Sequence, residues 1–236
     1  MNKKKIKIIG FIPAKKNSSD LKNKNFKKIN NLSLFELAIL NAKKSKFIEK
    51  IYLSSDSDMI LNKGKEHKVN IIKRKKSLCT NSALANSVIF DFIKNNLEKN
   101  QEKNYIIVYL QPTSPFRNSH HIDNSINHFL KKKLRTLLSV TENKNFFKSF
   151  RKSKTTLNPY FNSKFITNNR QNLRKIFSPN GAIYIFYASD FMKNKKINFI
   201  KSGYYIMNNI DSNDIDNEAD YDIAKYLSKK YIKIKK

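Results

Sequence analysis

The chain has 236 residues, of which 39% are hydrophobic and 12% are aromatic. This apolar content suffices for a sizeable core, which excludes wholesale disorder, and no stretch approaches the ~18 consecutive apolar residues of a membrane span. The single cysteine, Cys79, excludes a disulfide framework and a cysteine-based zinc cluster. We therefore expect a soluble, cytoplasmic protein, with residues 1–236 forming one domain.

The formal net charge is +30, because 48 Lys and Arg face only 18 Asp and Glu. A charge of this size is typical of nucleic-acid-binding proteins. However, only six of the basic residues are Arg, which is the better residue for bidentate phosphate and base contacts. No motif that reads nucleic acid accompanies the charge. We favour a solvated, lysine-rich surface and keep a basic nucleic-acid-binding protein as the alternative from a different class.

Strands and helices are predicted to alternate along the chain. An apolar strand over 6–12 is closed by Pro13, and Ser33 with Glu36 has the capping-box spacing of a helix over 34–40. The next elements in chain order are a strand at 51–54, a helix at 56–66, a strand at 69–72, a helix at 82–97, a strand at 105–110, a helix at 121–130 and strands at 136–140 and 182–186. This alternation predicts an α/β fold with a mostly parallel central sheet and helices on both faces.

Residues 143–178 break this rhythm, because they are polar and irregular. We interpret them as an inserted flap. In an open parallel sheet, ligands bind beyond the carboxyl ends of the strands. The segments that should carry function therefore follow Ile12, Ser54, Leu110, Val140 and Phe186.

Several of these segments carry unusual motifs. The run Gln-Pro-Thr-Ser-Pro-Phe-Arg occupies 111–117, Asn-Gly-Ala-Ile-Tyr occupies 180–184, and Asp-Ile-Asp occupies 214–216. With the loop after the first strand, this ordered set resembles the acylneuraminate cytidylyltransferases, or CMP-sialic acid synthetases, and their relatives that activate pseudaminic and legionaminic acids. The resemblance runs from about residue 6 to residue 226. It implies a Rossmann-like nucleotidyltransferase with CTP as a substrate.

The loop after the first strand is suited to holding a triphosphate, because it combines backbone amides, hydroxyls and lysines. The resemblance implies that nucleotide contacts come from Lys15, Asn17, Ser18, Lys24 and Asn25. The family's arginine and Lys-Gly pair are replaced here by Lys15, Ser19 and Asp20. A lysine cannot copy a bidentate arginine, so a catalytically weak member and an ordinary lysine-rich turn stay open as alternatives.

Base recognition is expected at a second segment. The resemblance implies that Arg74 and Ala83 contact the nucleotide, and that cytosine is the base. The family's final serine in this segment is replaced by Ala85. Cytosine specificity is therefore expected but could be relaxed, with the backbone at Ala83 still available to the base edge.

The sugar site is also implied by the resemblance. Gln111 follows the buried strand at 105–110 and would bond both nucleotide and sugar, although it could instead only tie down the proline-rich turn. An acidic sugar needs cations and apolar walls, and the matching positions are Lys148, Arg170, Tyr184 and Phe199. Arg117 is expected to anchor the Gln111 loop.

Asp214 and Asp216 flank Ile215, so in an extended segment both carboxylates point to one face while Ile215 faces the core. Paired carboxylates, with phosphate oxygens and water, are how Mg²⁺ is held. A solvated acidic turn or a helix N-terminus is the competing interpretation. With the resemblance, we predict that both aspartates bind Mg²⁺ and, together with Lys24, are catalytic.

The expected reaction moves CMP from CTP to the anomeric hydroxyl of a sialic-acid-type nine-carbon α-keto acid and releases pyrophosphate. Mg²⁺ on the aspartates would neutralise charge on the phosphates, and loop lysines would stabilise the leaving pyrophosphate. Pseudaminate, legionaminate or Kdo could be the acid instead, although Lys24 and Asn25 argue against Kdo.

The flap carries clustered aromatics that need burial, namely Phe146, Phe147, Phe150, Tyr160, Phe161 and Phe165. We expect a homodimer in which the flap reaches over the partner's site. The resemblance implies that Arg170 enters the sugar pocket of that neighbour.

Overall fold

The computed structural model describes residues 6–17, 21–80, 83–98, 101, 104–143 and 145–231, except for the side chains of Arg170 and Tyr231. The strands are β1 Lys7–Pro13, β2 Lys28–Ile29, β3 Leu32–Ser33, β4 Lys50–Ser55, β5 Asn70–Lys73, β6 Tyr105–Tyr109, β7 Thr136–Glu142, β8 Phe150–Lys152, β9 Leu157–Pro159, β10 Phe177–Tyr187 and β11 Gly203–Ile206. The helices are α1 Leu34–Lys43, α2 Asp58–Glu66, α3 Ala85–Asn96, α4 Ser119–Lys131, α5 Lys164–Thr167, α6 Ala188–Asn194 and α7 Glu218–Tyr231.

Seven strands form the central sheet in the order β11-β7-β10-β6-β1-β4-β5. The pairs β6/β1, β1/β4, β4/β5 and β11/β7 are parallel, whereas β10 runs antiparallel to both of its neighbours. The mostly parallel sheet is thus confirmed. One expectation is wrong. The carboxyl ends of the parallel strands form the functional edge of the sheet, and the segment after Phe186 does not lie at this edge. Because β10 is antiparallel to β6 and β7, the amino-terminal half of β10 lies at the functional edge instead.

Helices cover both faces of the sheet, as predicted. Apolar side chains of α1, α2 and α4 pack on one face, and those of α3 and α6 pack on the other. A third, smaller cluster joins α1 and α7 to the loops beyond the strand ends; it includes Leu21, Phe116 and Ile215. This cluster holds the functional edge of the sheet in place. None of the helices in the described part of the chain has the length and apolar character that a bilayer crossing needs.

Some predicted helix boundaries shift for local reasons. The capping box of α1 forms, with the Glu36 amide donating to Ser33 Oγ at 3.4 Å and the Ser33 amide donating to Glu36 Oε2 at 3.0 Å. The helix predicted from residue 56 begins at Asp58, because the Ser57 hydroxyl accepts from the amide of Ile60 as its cap. The helix predicted from residue 82 begins at Ala85.

The flap lies between β7 and β10, two residues shorter than predicted because β10 begins at Phe177. It contains the β8/β9 hairpin and the short helix α5. Its aromatic rings pack mainly on one another, with centroids 5.0–5.9 Å apart among Phe146, Phe147, Tyr160, Phe161 and Phe165. Among the flap side chains that the structure describes, none is fully buried.

Candidate active site

A cleft of about 220 Å³ opens at the carboxyl ends of β1, β4 and β6. Of the eight residues predicted to contact the nucleotide, the cleft is lined by six: Lys15, Lys24, Asn25, Arg74, Ala83 and Gln111. Asn17 is exposed and is not part of this lining, and Ser18 lies outside the described residues. Residues that are distant in sequence therefore converge where the parallel sheet predicted a ligand site.

The loop after β1 is fixed by main-chain and side-chain hydrogen bonds. The amide of Ala14 donates to Ser54 O at 2.8 Å, and the amide of Lys16 donates to Asp56 Oδ1 at 2.6 Å. Asn25 is buried, and its Nδ2 donates to Lys15 O at 2.7 Å. Asn25 thus holds the main chain at Lys15 while it lines the cleft, and these bonds fix the described parts of the loop, residues 14–17 and 21–25.

Arg74 forms the inner wall of the cleft on the side of β4. Its guanidinium donates to the hydroxyl of Ser54 at 3.3 Å and to the carbonyl of Ser54 at 3.1 Å. Arg74 is only 7% exposed, and burial lowers the pKa of its guanidinium. The wall continues through Leu78, Thr80, Ala83, Ala85 and Val88. This wall of the cleft therefore combines the oriented guanidinium of Arg74 with mainly apolar surface.

Gln111 and Asp214 meet at a glycine. Gly181 has φ of +75°, and a Cβ at this position would stand 2.9 Å from Gln111 Oε1 and 2.9 Å from Asp214 Oδ2. Only glycine permits both this conformation and this approach. The Gln111 carboxamide and the Asp214 carboxylate therefore both lie against the main chain of β10 at Gly181.

Arg117 lies beneath this point and is 1% exposed. Its NH1 donates to the carbonyl of Gln111 at 2.7 Å and to the carbonyl of Ala182 at 2.9 Å. Burial lowers the pKa of the Arg117 guanidinium to about 10, against the opposing effect of Asp214. The prediction that Arg117 anchors the Gln111 loop is confirmed.

The two aspartates of the 214–216 segment differ in their surroundings. Ile215 is fully buried, and its amide donates to Thr113 O at 2.9 Å, which ties the segment to the loop after β6. Burial raises the pKa of Asp214, and the charge of Asp216 adds to the effect, while Lys24 opposes it. Asp216 is largely exposed and accepts from Lys24 Nζ at 3.0 Å.

These two carboxylates fit a hard divalent cation bound with the help of a substrate. Among the described residues, there is no group of three or more His, Cys, Asp or Glu side chains arranged for a metal ion. Mg²⁺ is commonly held by one or two carboxylates plus phosphate oxygens and water, so a pair suffices. Asp214 Oδ1 is buried without a hydrogen-bond partner, which leaves one acceptor of the pair uncommitted.

The predicted sugar residues divide into two groups. Tyr184 and Phe199 lie together with ring centroids 6.1 Å apart, and Tyr184 also packs on Tyr109 at 5.9 Å. Lys148 lies in a 3₁₀ turn of the flap and does not line the cleft. Arg170 begins another flap turn, and its side chain is outside the described part of the structure.

Sequence reasoning missed two residues of the site. Tyr109 lines the cleft, and burial raises the pKa of its hydroxyl to about 12, although a hydrogen bond with the Gln111 side chain opposes this. Tyr109 ends β6 and Gln111 lies two residues further on, a spacing at which the side chains of an extended segment share a face. Asp56, which accepts from the loop after β1, could be found only as a carboxylate that follows a strand end.

The fold and the cleft together define an α/β protein with a candidate ligand site at the carboxyl ends of its parallel strands. The sequence matches the cytidylyltransferase family over residues 9–228, and the chain belongs to that family.

Curated relatives similar to the chain include three whose match covers most of its length. It is 30% identical to an N-acylneuraminate cytidylyltransferase of Escherichia coli O18:K1:H7 over 95% of its own length, and it spans about half, 52%, of that relative. It is 26% identical to the post-translational flagellin modification protein B of Campylobacter coli, covering 94% of this chain and 95% of that one. It is also 26% identical to the CMP-N,N'-diacetyllegionaminic acid synthase of Campylobacter jejuni, covering 93% and 94%.

Solved structures with the same fold include other cytidylyltransferases. A CMP:2-keto-3-deoxy-manno-octonic acid synthetase complexed with CTP matches with a TM-score of 0.69 and 12% identity, over 96% of this chain and 100% of that one. The 4-diphosphocytidyl-2C-methyl-D-erythritol synthase of Anaerococcus prevotii matches with a TM-score of 0.63 and 15% identity, over 95% and 97%. At these identities, the likeness concerns the fold.

Proposed function

We propose that the protein transfers CMP from CTP to the anomeric hydroxyl of a sialic-acid-type nine-carbon α-keto acid, with release of pyrophosphate. The observation that carries this proposal is the convergence of six predicted nucleotide residues in one cleft. The carboxamide of Gln111 and the carboxylate of Asp214 meet beside that cleft. The relatives named N-acylneuraminate cytidylyltransferase and CMP-N,N'-diacetyllegionaminic acid synthase support this substrate class.

In this proposal, the cleft binds CTP with its phosphates toward Lys15 and Lys24 and its base toward Arg74 and Ala83. The cationic side chains and fixed amides of the first loop attract the triphosphate. The small side chain of Ala83 leaves its backbone accessible to the base edge, in the absence of the serine that Ala85 replaces.

Asp214 and Asp216 would hold Mg²⁺ together with phosphate oxygens. When bound, this ion neutralises the charge that builds on the phosphates and lowers the pKa of a coordinated hydroxyl.

The chemical step is a displacement at phosphorus. The sugar hydroxyl oxygen forms a bond to the α-phosphorus, the bond from that phosphorus to the bridging oxygen breaks, and pyrophosphate leaves with the electron pair. Lys24 and Lys15 stabilise the leaving group, and the hydroxyl proton passes to solvent. Gln111, bonding sugar and nucleotide, holds the reacting atoms in line.

Lys24 has two successive partners in this proposal. In the structure, the Lys24 ammonium is paired with Asp216 at 3.0 Å, and the Lys24 side chain is only 12% exposed. A triphosphate offers a stronger anion, and the transfer of Lys24 to phosphate releases Asp216 for the metal. Nucleotide and Mg²⁺ should therefore bind with positive coupling.

The flap supplies the remaining sugar contacts in this proposal. We infer a homodimer in which Arg170 reaches the partner's sugar pocket, while Lys148, Tyr184 and Phe199 supply further contacts to the sugar. The partial exposure of the flap aromatics supports an interface, because an exposed apolar cluster commonly marks one.

A second candidate substrate is a legionaminate-type acid. The near-complete coverage of the Campylobacter jejuni synthase favours it, since the Escherichia coli relative is matched over only about half its length. Kdo is a weaker candidate, because its synthetase is similar in fold at 12% identity.

The test is a panel assay. Purified protein is incubated with CTP, Mg²⁺ and, separately, N-acetylneuraminate, N,N'-diacetyllegionaminate, pseudaminate and Kdo, and pyrophosphate is measured. We expect release with at least one nine-carbon acid. Release with Kdo alone would reassign the substrate, and release with none would refute the proposed function.

A further inference from the structure

Arg117 is a charged residue that is buried beneath the candidate site and does not line its cleft. It is 1% exposed, and its NH1 bridges the main-chain carbonyls of Gln111 and Ala182 at 2.7 and 2.9 Å. Its Nε is buried without a partner. Burying a guanidinium is costly, and here the two hydrogen bonds to main-chain carbonyls offset part of that cost.

The two bridged carbonyls belong to the two segments that meet above Arg117. Gln111 follows β6, and Ala182 follows Gly181 in β10. These strands are adjacent and antiparallel, and their last registered pair toward this edge is Tyr109 with Tyr184. Beyond that pair, the sheet no longer holds the segments together. The bridge through Arg117 therefore replaces the missing strand pairing.

This bridge determines where two side chains stand. The main chain at Gly181 lies within reach of both Gln111 Oε1 and Asp214 Oδ2, each 2.9 Å from the position of an added Cβ. The Ile215 amide donates to Thr113 O, so Asp214 is tied to the same loop after β6 that carries Gln111. A shift of β6 relative to β10 would therefore move both side chains relative to the main chain at Gly181.

We propose that Arg117 is a positioning residue that holds the main chain at Gly181 in β10 against the carboxamide of Gln111 and the carboxylate of Asp214, which both lie on the β6 side of the junction. The inference rests on the proposed function, in which these two side chains face the reacting atoms. A planar guanidinium suits this task, because its donors are fixed relative to each other. A lysine ammonium on a flexible stem does not hold the two carbonyls in one fixed geometry.

The experiment compares Arg117→Lys with the wild-type protein and with Arg135→Lys as the matched control. Arg135 is 70% exposed and pairs with Asp190 away from the cleft lining. For each protein we would measure CTP affinity and stoichiometry by calorimetry, kcat and the KM for the sugar acid, and hydrogen exchange of the peptides over 110–118, 178–184 and 70–80.

For Arg117→Lys, we expect CTP binding and the rate of turnover to respond differently. The CTP dissociation constant rises less than about 10-fold, because Gln111 is only one of several nucleotide contacts, while kcat per CTP-binding site falls about 100-fold, as for a displacement of the reacting groups by about 1 Å. Exchange quickens in 110–118 and 178–184 but not in 70–80. A role in stability alone would lower the CTP stoichiometry and leave kcat per site intact, and that result would overturn the proposal.

Gly181→Ala provides a second route if Arg117→Lys does not fold. Its Cβ displaces Gln111 and Asp214 while Arg117 stays in place. We expect the same loss of kcat, with a much smaller change in CTP affinity. A normal kcat per site in Gly181→Ala would contradict the positioning role. If the wild-type protein turns over no acid, the proposed function fails. The hydrogen-exchange measurement on Arg117→Lys would still show whether Arg117 holds the segments 110–118 and 178–184 together.

Discussion

At the scale of single residues, the charge around Asp216 is the feature most open to test. Asp216 is exposed and paired with Lys24, whereas Asp214 is mostly buried with an uncommitted oxygen. One residue separates them, and Ile215 fixes both by its own burial. The exposed aspartate is therefore the one whose replacement should disturb the fold least.

We predict that Asp216→Asn lowers the Mg²⁺-dependent rate of CMP transfer by at least about 100-fold, because the amide removes a charge from a hard-cation site. The melting temperature should stay near that of the wild type. Rates over a Mg²⁺ titration and thermal denaturation would check this. Asp222→Asn, on the exposed side of α7, is the control. Wild-type rates in Asp216→Asn would remove the metal assignment.

Residue-scale prediction from sequence succeeded where the pattern was local. The alternation of Asp214, Ile215 and Asp216 predicted a buried isoleucine between two acids, and Ile215 is fully buried. The Lys24–Asp216 pair and the contact of Asp56 with the Lys16 amide could not be predicted, because each joins segments whose distance is set only by the folded sheet.

At the scale of elements, the direction of β10 is the main difference between the sequence-based prediction and the structure. Hydrophobic periodicity shows that 182–186 is a strand but carries no information on its direction. An insertion between β7 and β10 lets the chain return antiparallel, since no crossover helix is then required. As a result, Asn180 and Gly181 enter the site from the start of a strand, not from its end.

The N-terminus of α4 contains a second element-scale feature. His121 Nδ1 accepts from the Asn118 amide at 3.3 Å, and its Nε2 faces Asp211 Oδ2 at 3.4 Å. The cap therefore requires the neutral imidazole. Burial lowers the pKa of His121, and the charges of Arg117 and His120 add to this, while Asp211 opposes it.

We predict that the free energy of unfolding falls as the pH drops below about 6.5, because the unfolded state then binds a proton that the folded state resists. Loss of the cap would cost about 1 kcal/mol, or about 2–4 °C in melting temperature. His121→Gln should abolish this component, since Gln suits the same capping position. Melting curves at pH 5.5 and 7.5 would check it, with exposed His120→Gln as control. An unchanged pH dependence in His121→Gln would contradict this account.

At the scale of the whole molecule, the flap is the least predictable part. Its aromatic content predicted burial, yet these rings pack mainly on one another and Phe150 and Tyr160 stay 46% and 66% exposed. Contacts across an interface depend on a second surface that a single sequence does not describe.

We predict a dimer whose site is shared. Arg170→Ala and Asp216→Asn subunits should each be inactive alone, whereas a mixture regains part of the activity, because one hybrid site holds both intact residues. Sedimentation would establish the oligomeric state at assay concentration. A monomer, or confirmed mixed dimers without regained activity, would rule out the shared site.

The net charge of +30 makes a separate prediction. Binding to generic duplex DNA should be weak at low salt and should disappear at moderate salt, because screening removes exposed lysine contacts. Fluorescence anisotropy over a salt series would measure it. Tight, sequence-specific binding at physiological salt would favour the nucleic-acid-binding alternative.

Phosphorus NMR of the reaction mixture would show directly whether the protein transfers CMP. With CTP, Mg²⁺ and the preferred nine-carbon acid, the three CTP resonances should give way to one phosphodiester resonance and pyrophosphate. With UTP in place of CTP, the conversion should be much slower. The absence of a phosphodiester resonance with every acid would contradict the account, and equal conversion of UTP would show that the loss of serine at Ala85 has relaxed the choice of base.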